Sequence, residues 1–199
     1  MGLRERKAER TRAALHTAVI ELAEQYGYEA VTVEQIATHA EVGTSTLYRY
    51  FPSKDAILLA PIADSVGSLA ARLDSRPPDE SLETALEATV QDELRAQQAV
   101  RDQVARLRAQ LDTAPGPRAR LWDLLAQQRG LLEAAIARRA GVPERELWVC
   151  LTAHQATTII HIALDRERTA GDTTPYDELA EQLIDLLAAQ SAGSTATRR

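Results

Sequence analysis

Thiol chemistry is almost absent from this 199-residue chain: it has one cysteine, Cys150, so no intrachain disulfide can close. No Cys/His cluster in the sequence suggests zinc, and His154 and His161, seven apart with no carboxylate between them, are not spaced as a metal pair. No apolar run approaches the roughly 20 residues of a membrane span. The first residues, Met1-Gly-Leu-Arg-Glu-Arg-Lys7, are charged with no apolar segment behind them, which is not a secretion signal. A cytoplasmic protein with no membrane partner is therefore expected. Equally missing are a nucleophile elbow, a phosphate loop, an HExxH helix and usefully spaced paired carboxylates. An enzyme is not expected, and no cofactor is implied. No alternating strand pattern and no internal repeat occur. Finally there is no excess of positive charge: the net is −6. Residues 1–60 are nearly balanced, but residues 1–12 hold five basic side chains against Glu5 and Glu9. Nonspecific attraction to nucleic acid is modest, so tight binding would have to rest on a few placed contacts.

What is present is helix. Apolar residues at 15, 18, 19, 22, 23 and 26 mark one face of a helix over 4–26, which Gly27 stops. Thr32 with Gln35 three residues on forms a capping-box pattern that opens the next helix. Ile36, Ala37, Ala40, Val42, Leu47 and Tyr50 then fall where two crossed helices share a small core, a helix-turn-helix pair. Pro52-Ser53 ends the second helix and Ser53 caps a fourth, expected to run unbroken from 54 to 73. Two packed helices are not by themselves a DNA reader. The flanking chemistry favours one: Thr44, Ser45, Tyr48 and Arg49 lie on the exposed face of the second helix, where Arg49 can reach guanine. Thr32 and Lys54 stand at helix starts, where a hydroxyl and an ammonium can hold phosphate.

Residues 10–58 resemble the DNA-binding domain of the tetracycline-repressor (TetR) family of bacterial regulators. The resemblance rests on Ala30-Val-Thr-Val33, Ile36-Ala37, Ala40, Val42, Thr46-Leu-Tyr48, Phe51 and Ser53-Lys-Asp55. It implies that Thr32 and Lys54 hold phosphates, that Thr44, Ser45 and Arg49 face bases, and that Tyr48 lies on the DNA backbone while Leu47 and Phe51 pack inward. Four positions depart from common members: Glu41 and Ser45 stand where glycine is frequent, and Arg49-Tyr50 replaces a His pair. A non-glycine residue at 41 implies a strained or reshaped turn.

Beyond Pro77-Pro78 the sequence reads as helices over about 80–111, 118–140, 143–169 and 174–190, with a polar tail at 191–199 expected to be disordered. The helix at 143–169 is apolar on nearly every side through Trp148, Val149, Leu151, Ala153, Ala156, Ile159, Ile160, Ile162 and Ala163. Such a helix is either the centre of one subunit or shared between two. Leu179, Leu183, Ile184, Leu186 and Leu187 give the last helix a similar surface. Cys150, His154, Thr157, Thr158 and His161 form a polar stripe that either lines a ligand cavity or bonds within the core or dimer. Trp122 and Arg129, seven apart on the preceding helix, would add a stacking wall and an anion clamp.

The expectation is an all-α protein with a helix-turn-helix domain at 1–53, a larger helical bundle for dimerisation and ligand binding at 54–190, and the tail at 191–199. By resemblance it is a homodimeric transcriptional repressor released from a palindromic double-stranded DNA operator by a small-molecule effector. The fourth helix would be the hinge. A regulator without such a ligand, controlled by a protein partner, is the alternative, and an all-α enzyme the remote one.

Overall fold

The computed structural model describes residues 2–196, and among them every regular element is helical. In chain order these are α1 (Leu3–Tyr26), a single 3-10 turn at Tyr28–Ala30, α2 (Val33–His39), α3 (Thr44–Tyr50), α4 (Lys54–Leu58), α5 (Ala60–Ser65) and α6 (Ser68–Asp74). They continue with α7 (Leu82–Gln98), α8 (Arg101–Thr113), α9 (Pro115–Ala140), α10 (Leu147–Ala170) and α11 (Tyr176–Ala196). The chain divides into two compact units that are discontinuous in sequence. The first is Met1–Ser65 with Asp102–Leu125, and the second is Val66–Arg101 with Ala126–Arg199.

Three boundaries differ from expectation. The helix expected over 54–73 is broken into α4, α5 and α6. Pro61 has no N–H to continue the ladder, and Gly67 takes a left-handed conformation with φ of 92°. The run expected over 80–111 splits at Ala99-Val100, just before the chain passes from the second unit to the first after Arg101. Conversely, α11 continues past residue 190 to Ala196, and residues 197–199 of the expected tail lie outside the described residues.

Local signals in the first unit are realised atom by atom. Gly27 ends α1 with φ of 82°. At the start of α2, Thr32 Oγ1 accepts the Gln35 N–H at 3.2 Å while Gln35 Oε1 accepts the Thr32 N–H at 2.8 Å. Ser53 caps α4 by accepting the Ala56 N–H at 3.2 Å. The core gathers Leu15, Val19 and Leu22 from α1, Ile36 from α2, Leu47 from α3, and Ile57 and Leu58 from α4. Leu107 and Leu111 of α8 complete it. Burying each such side chain contributes about 1.5–3 kcal/mol, which is what fixes three short helices that would not persist alone.

The second unit packs Leu69 and Leu73 of α6, Leu94 of α7, Leu132 and Ile136 of α9, Val149 and Ala153 of α10, and Tyr176 of α11 into a separate core. Within it α10 does not behave as the sequence suggests. One face is buried, through Val149, Ala153 and Ala163, while the other leaves Leu147 87% and Leu151 59% exposed, with Trp148 and Ile162 also open. Contrary to the expectation of no long apolar run, Leu147–Arg166 is long and apolar enough to cross a membrane by composition. Its packed face makes it a helix of the unit's core, and Thr152, His154, Gln155, Thr158 and His161 interrupt its length.

Candidate nucleic-acid interface

The turn between α2 and α3 is closed by backbone bonds from Ala40 N to Ile36 O at 3.0 Å and from Val42 N to Ala37 O at 2.9 Å. Glu41 sits between them with φ of 54°, the left-handed region glycine prefers. The strain inferred from its residue type is therefore present. For an L-residue it costs about 1–2 kcal/mol. Ile36 and Ala37 below the turn and Leu47 above it are fully buried, and they set the angle at which α3 leaves.

One face of α3 is consequently free. Thr44, Ser45, Tyr48 and Arg49 are all exposed, Tyr48 at 54%, whereas Leu47 and the following Phe51 point into the core. At 100° per residue those four positions span an arc of roughly 140°, one side of the helix. The Arg49 guanidinium lies 5.3 Å from the centre of the Tyr50 ring. Thr32 is exposed at the start of α2. Its hydroxyl oxygen is engaged by Gln35, but its own proton is available to donate.

Lys54 is committed more deeply than its sequence position suggests. Its Nζ donates to the carbonyls of Tyr28 at 2.8 Å and Val31 at 2.9 Å, and it lies 4.3 Å from the centre of the Tyr28 ring. Tyr28, itself buried, donates its phenolic proton to the Asp55 carboxylate. Burial first, and the Asp55 hydrogen bond and charge next, push the Tyr28 phenol well above its ordinary range, so it stays a donor. Tyr28, Lys54 and Asp55 thus tie the α1–α2 connection to the start of α4. Sequence reasoning missed this clamp. The only available signal was that Lys54 and Asp55 lie beside a helix start. The basic stretch at 4–12 is likewise part of α1. Arg12 forms a two-pronged bond to Asp64 at 2.6 and 2.8 Å and stacks 4.7 Å from the Phe51 ring centre, while Arg4, Arg6, Lys7 and Arg10 are exposed.

Residues 15–60, which contain this whole arrangement, match the profile of the family described as bacterial regulatory proteins, tetR family. Over those residues the chain is similar to the tetR family. Among curated proteins it is 44% identical over 80 residues to the HTH-type transcriptional regulator TcmR of Streptomyces glaucescens, 40% of this chain and 35% of that one. It is also 44% identical over 59 residues to the HTH-type transcriptional repressor KstR of Rhodococcus jostii (strain RHA1), 30% and 26% of the two chains. These matches span about a third or less of the relatives' length. A solved structure, the transcriptional regulator FadR from Bacillus subtilis in complex with stearoyl-CoA, shares the fold over 88% of this chain and 96% of its own. Its TM-score is 0.63 at 17% identity.

Beyond that segment, the residues considered for a ligand fall in different places. Trp122, 66% exposed, belongs to the first unit, and Arg129 to the second. Arg129 lies 3.8 Å from Glu133 one turn along α9. On α10, His154 and Thr158 are exposed, Cys150 and His161 half-buried, and Thr157 is buried with its hydroxyl donating to the Ala153 carbonyl at 2.9 Å. Cys150, His154 and Thr158 follow the same open face as Leu147, Leu151 and Ile162. An apolar groove of about 390 Å³ lies elsewhere in the unit, between α7, α10 and α11. Leu86, Val90, Ile159 and Ile184 line it with Glu83 and Glu87, and none of the seven residues considered for a ligand is among its lining.

Proposed function

We propose that this chain is a sequence-specific DNA-binding transcriptional regulator that acts as a homodimer in the cytoplasm and represses until a small molecule releases it. The observation that carries the reading is α3 itself. It is a short helix anchored by Leu47 on a buried support, presenting Thr44, Ser45, Tyr48 and Arg49 on one open side. Such a helix fits the major groove, where Arg49 would reach guanine and Thr44 and Ser45 neighbouring base edges. Tyr48 and Thr32 would hold the backbone. Lys54, with two protons already given to carbonyls, would add charge and one remaining donor to a phosphate while chiefly holding the support in shape. The names of TcmR and KstR as a transcriptional regulator and a transcriptional repressor agree with this role.

One reading head covers half a site, so a two-fold dimer placing two heads about 34–36 Å apart completes the operator. The open apolar face of α10, with Leu186 of α11, supplies the surface for that dimer. Its polar stripe, on the side of α10 toward Glu133 of α9, would then border the interface rather than lie within it. The α7–α10–α11 groove is the better seat for an effector, and its leucine, isoleucine and valine walls suit an apolar molecule. That the structural neighbour FadR from Bacillus subtilis is in complex with stearoyl-CoA supports an apolar effector. Release would be a population shift, the effector preferring the conformation whose heads are wrongly spaced.

The test begins with selection of binding sites from random DNA, followed by mobility shifts. Arg49→Ala should weaken operator binding by roughly 10- to 100-fold, the loss of a base contact worth about 1–3 kcal/mol, with an unchanged melting temperature. Undiminished specific binding by Arg49→Ala and Tyr48→Ala together would remove the assignment.

A further inference from the structure

Three potential metal-ligating atoms converge in the second unit at a place the DNA-binding reading does not use. Cys150 and His154 are one turn apart on α10, and Glu133 faces them from α9. The thiol sulfur, an imidazole nitrogen and a carboxylate oxygen all lie within 4.8 Å of one another. Cys150 Sγ is 3.5 Å from His154 Nδ1, and His154 Nδ1 is 4.0 Å from Glu133 Oε1. A tetrahedral zinc ion with ordinary bond lengths needs sulfur–nitrogen and nitrogen–oxygen separations of about 3.6 and about 3.3 Å. The first is already met, and the second needs a shift of well under an ångström in a flexible glutamate. Glu133 and Cys150 are half-buried and His154 exposed, so an ion can enter and a fourth position faces solvent.

We propose that Glu133, Cys150 and His154 form a binding site for a thiophilic divalent cation, with Zn²⁺ as the reference ion and water as the fourth ligand. The sulfur–nitrogen pair selects against Mg²⁺ and Ca²⁺, which prefer all-oxygen cages. Binding has a definite proton balance. His154 Nδ1 bonds the Cys150 carbonyl at 2.8 Å, and a carbonyl only accepts, so Nδ1 carries the imidazole proton. On coordination that proton moves to Nε2, the ring leaves the carbonyl, and the thiol releases its proton to solvent. Arg129, 3.8 Å from Glu133 on the same helix, is a cation that competes for this carboxylate, and the ion must displace its attraction. An open coordination position suits an exchangeable ion rather than a permanent structural one.

Because Cys150 is the only cysteine, every thiolate signal reports this site. The test uses the full chain, untagged, reduced and chelator-treated, titrated with Co²⁺ and then Zn²⁺. Expected is one Co²⁺ per chain, with a sulfur-to-cobalt charge-transfer band and the visible absorption of four-coordinate cobalt, both abolished by Zn²⁺. Cys150→Ser should lose the charge-transfer band, and His154→Ala and Glu133→Gln should each weaken Zn²⁺ at least tenfold while circular dichroism melting is unchanged. On the unaltered protein, Zn²⁺ should slow alkylation of Cys150 at least tenfold, and chelator should restore the rate. Absence of the thiolate band, equal Zn²⁺ affinity in the Cys150 and His154 variants, or an unaltered alkylation rate would each overturn the proposal. None of these readouts involves DNA, so the outcome is separate from that of the regulator assignment.

Discussion

The two units expose opposite kinds of surface. In the first, the large apolar side chains left open are the amphipathic Tyr26, Tyr48 and Trp122, and the distinctive face, on α3, is polar. In the second, Val100, Leu131, Leu147, Trp148, Leu151, Ile162 and Leu186 are open. A polar face on a rigid short helix suits a hydrated, charged polymer, whereas a continuous apolar face on long helices suits another protein surface. The smaller unit covers its aliphatic side chains with its own helices, whereas the larger one leaves several of them open.

The largest effect should come from interrupting that apolar face. Leu151→Glu places a charge where a second subunit would close over it, and should weaken self-association by roughly 100-fold or more, the scale of a central interface residue. Sedimentation would show monomers, and operator affinity would fall with them. If the protein remains dimeric at unchanged concentration dependence, the face has another use and the contrast between units is broken. Next in size is the clamp of the first unit. Lys54→Met removes two charge-assisted bonds to the Tyr28 and Val31 carbonyls and should cost about 2 kcal/mol in chemical denaturation. A purely DNA-facing lysine would instead leave stability untouched, so this measurement separates its two roles.

Smaller effects sharpen the picture of the turn and of the core around it. Glu41→Gly relieves the left-handed strain, about 1 kcal/mol, but adds backbone entropy to the unfolded chain. A net stabilisation below about 1 kcal/mol is expected, and a loss would mean that the Glu41 side chain is itself a contact. Smallest is a pH dependence. Burial, opposed by a bond with the Leu58 backbone, lowers the pKa of His16, whose Nε2 is buried without a partner. The unfolded chain then takes up a proton that the folded chain resists. The stability from neutral His16 is full above the unfolded value near 6.5 and is lost as pH falls below it toward the lowered folded value. Thermal melts from pH 7.5 down to 5 should drop less steeply in His16→Gln than in the parent.

Legibility in the sequence followed the distance over which a residue acts. The Thr32–Gln35 capping box, the Ser53 cap, the positive φ of Gly27 and the open set Thr44, Ser45, Tyr48 and Arg49 could all be read. Each depends on neighbours within one or two helical turns. The Tyr28–Lys54–Asp55 clamp could not, because it joins groups 26 or more positions apart. Nor could the meeting of Glu133 with Cys150 and His154, or the apolar groove, since these need the packing of separate helices. The assumption of an unbroken fourth helix failed at Pro61 and Gly67, signals that were present but outweighed by the apolar period.

Taken alone, the sequence determined that the protein is helical throughout its described length, where most helices start, and which short segment reads as a helix-turn-helix. Periodicity and capping are local and are written residue by residue. Tertiary structure decided which side of α10 is buried and which is left open, that Lys54 supports the backbone, and that Glu133, Cys150 and His154 share one small space. Those outcomes depend on how long helices are placed beside one another, and no local pattern encodes that distance.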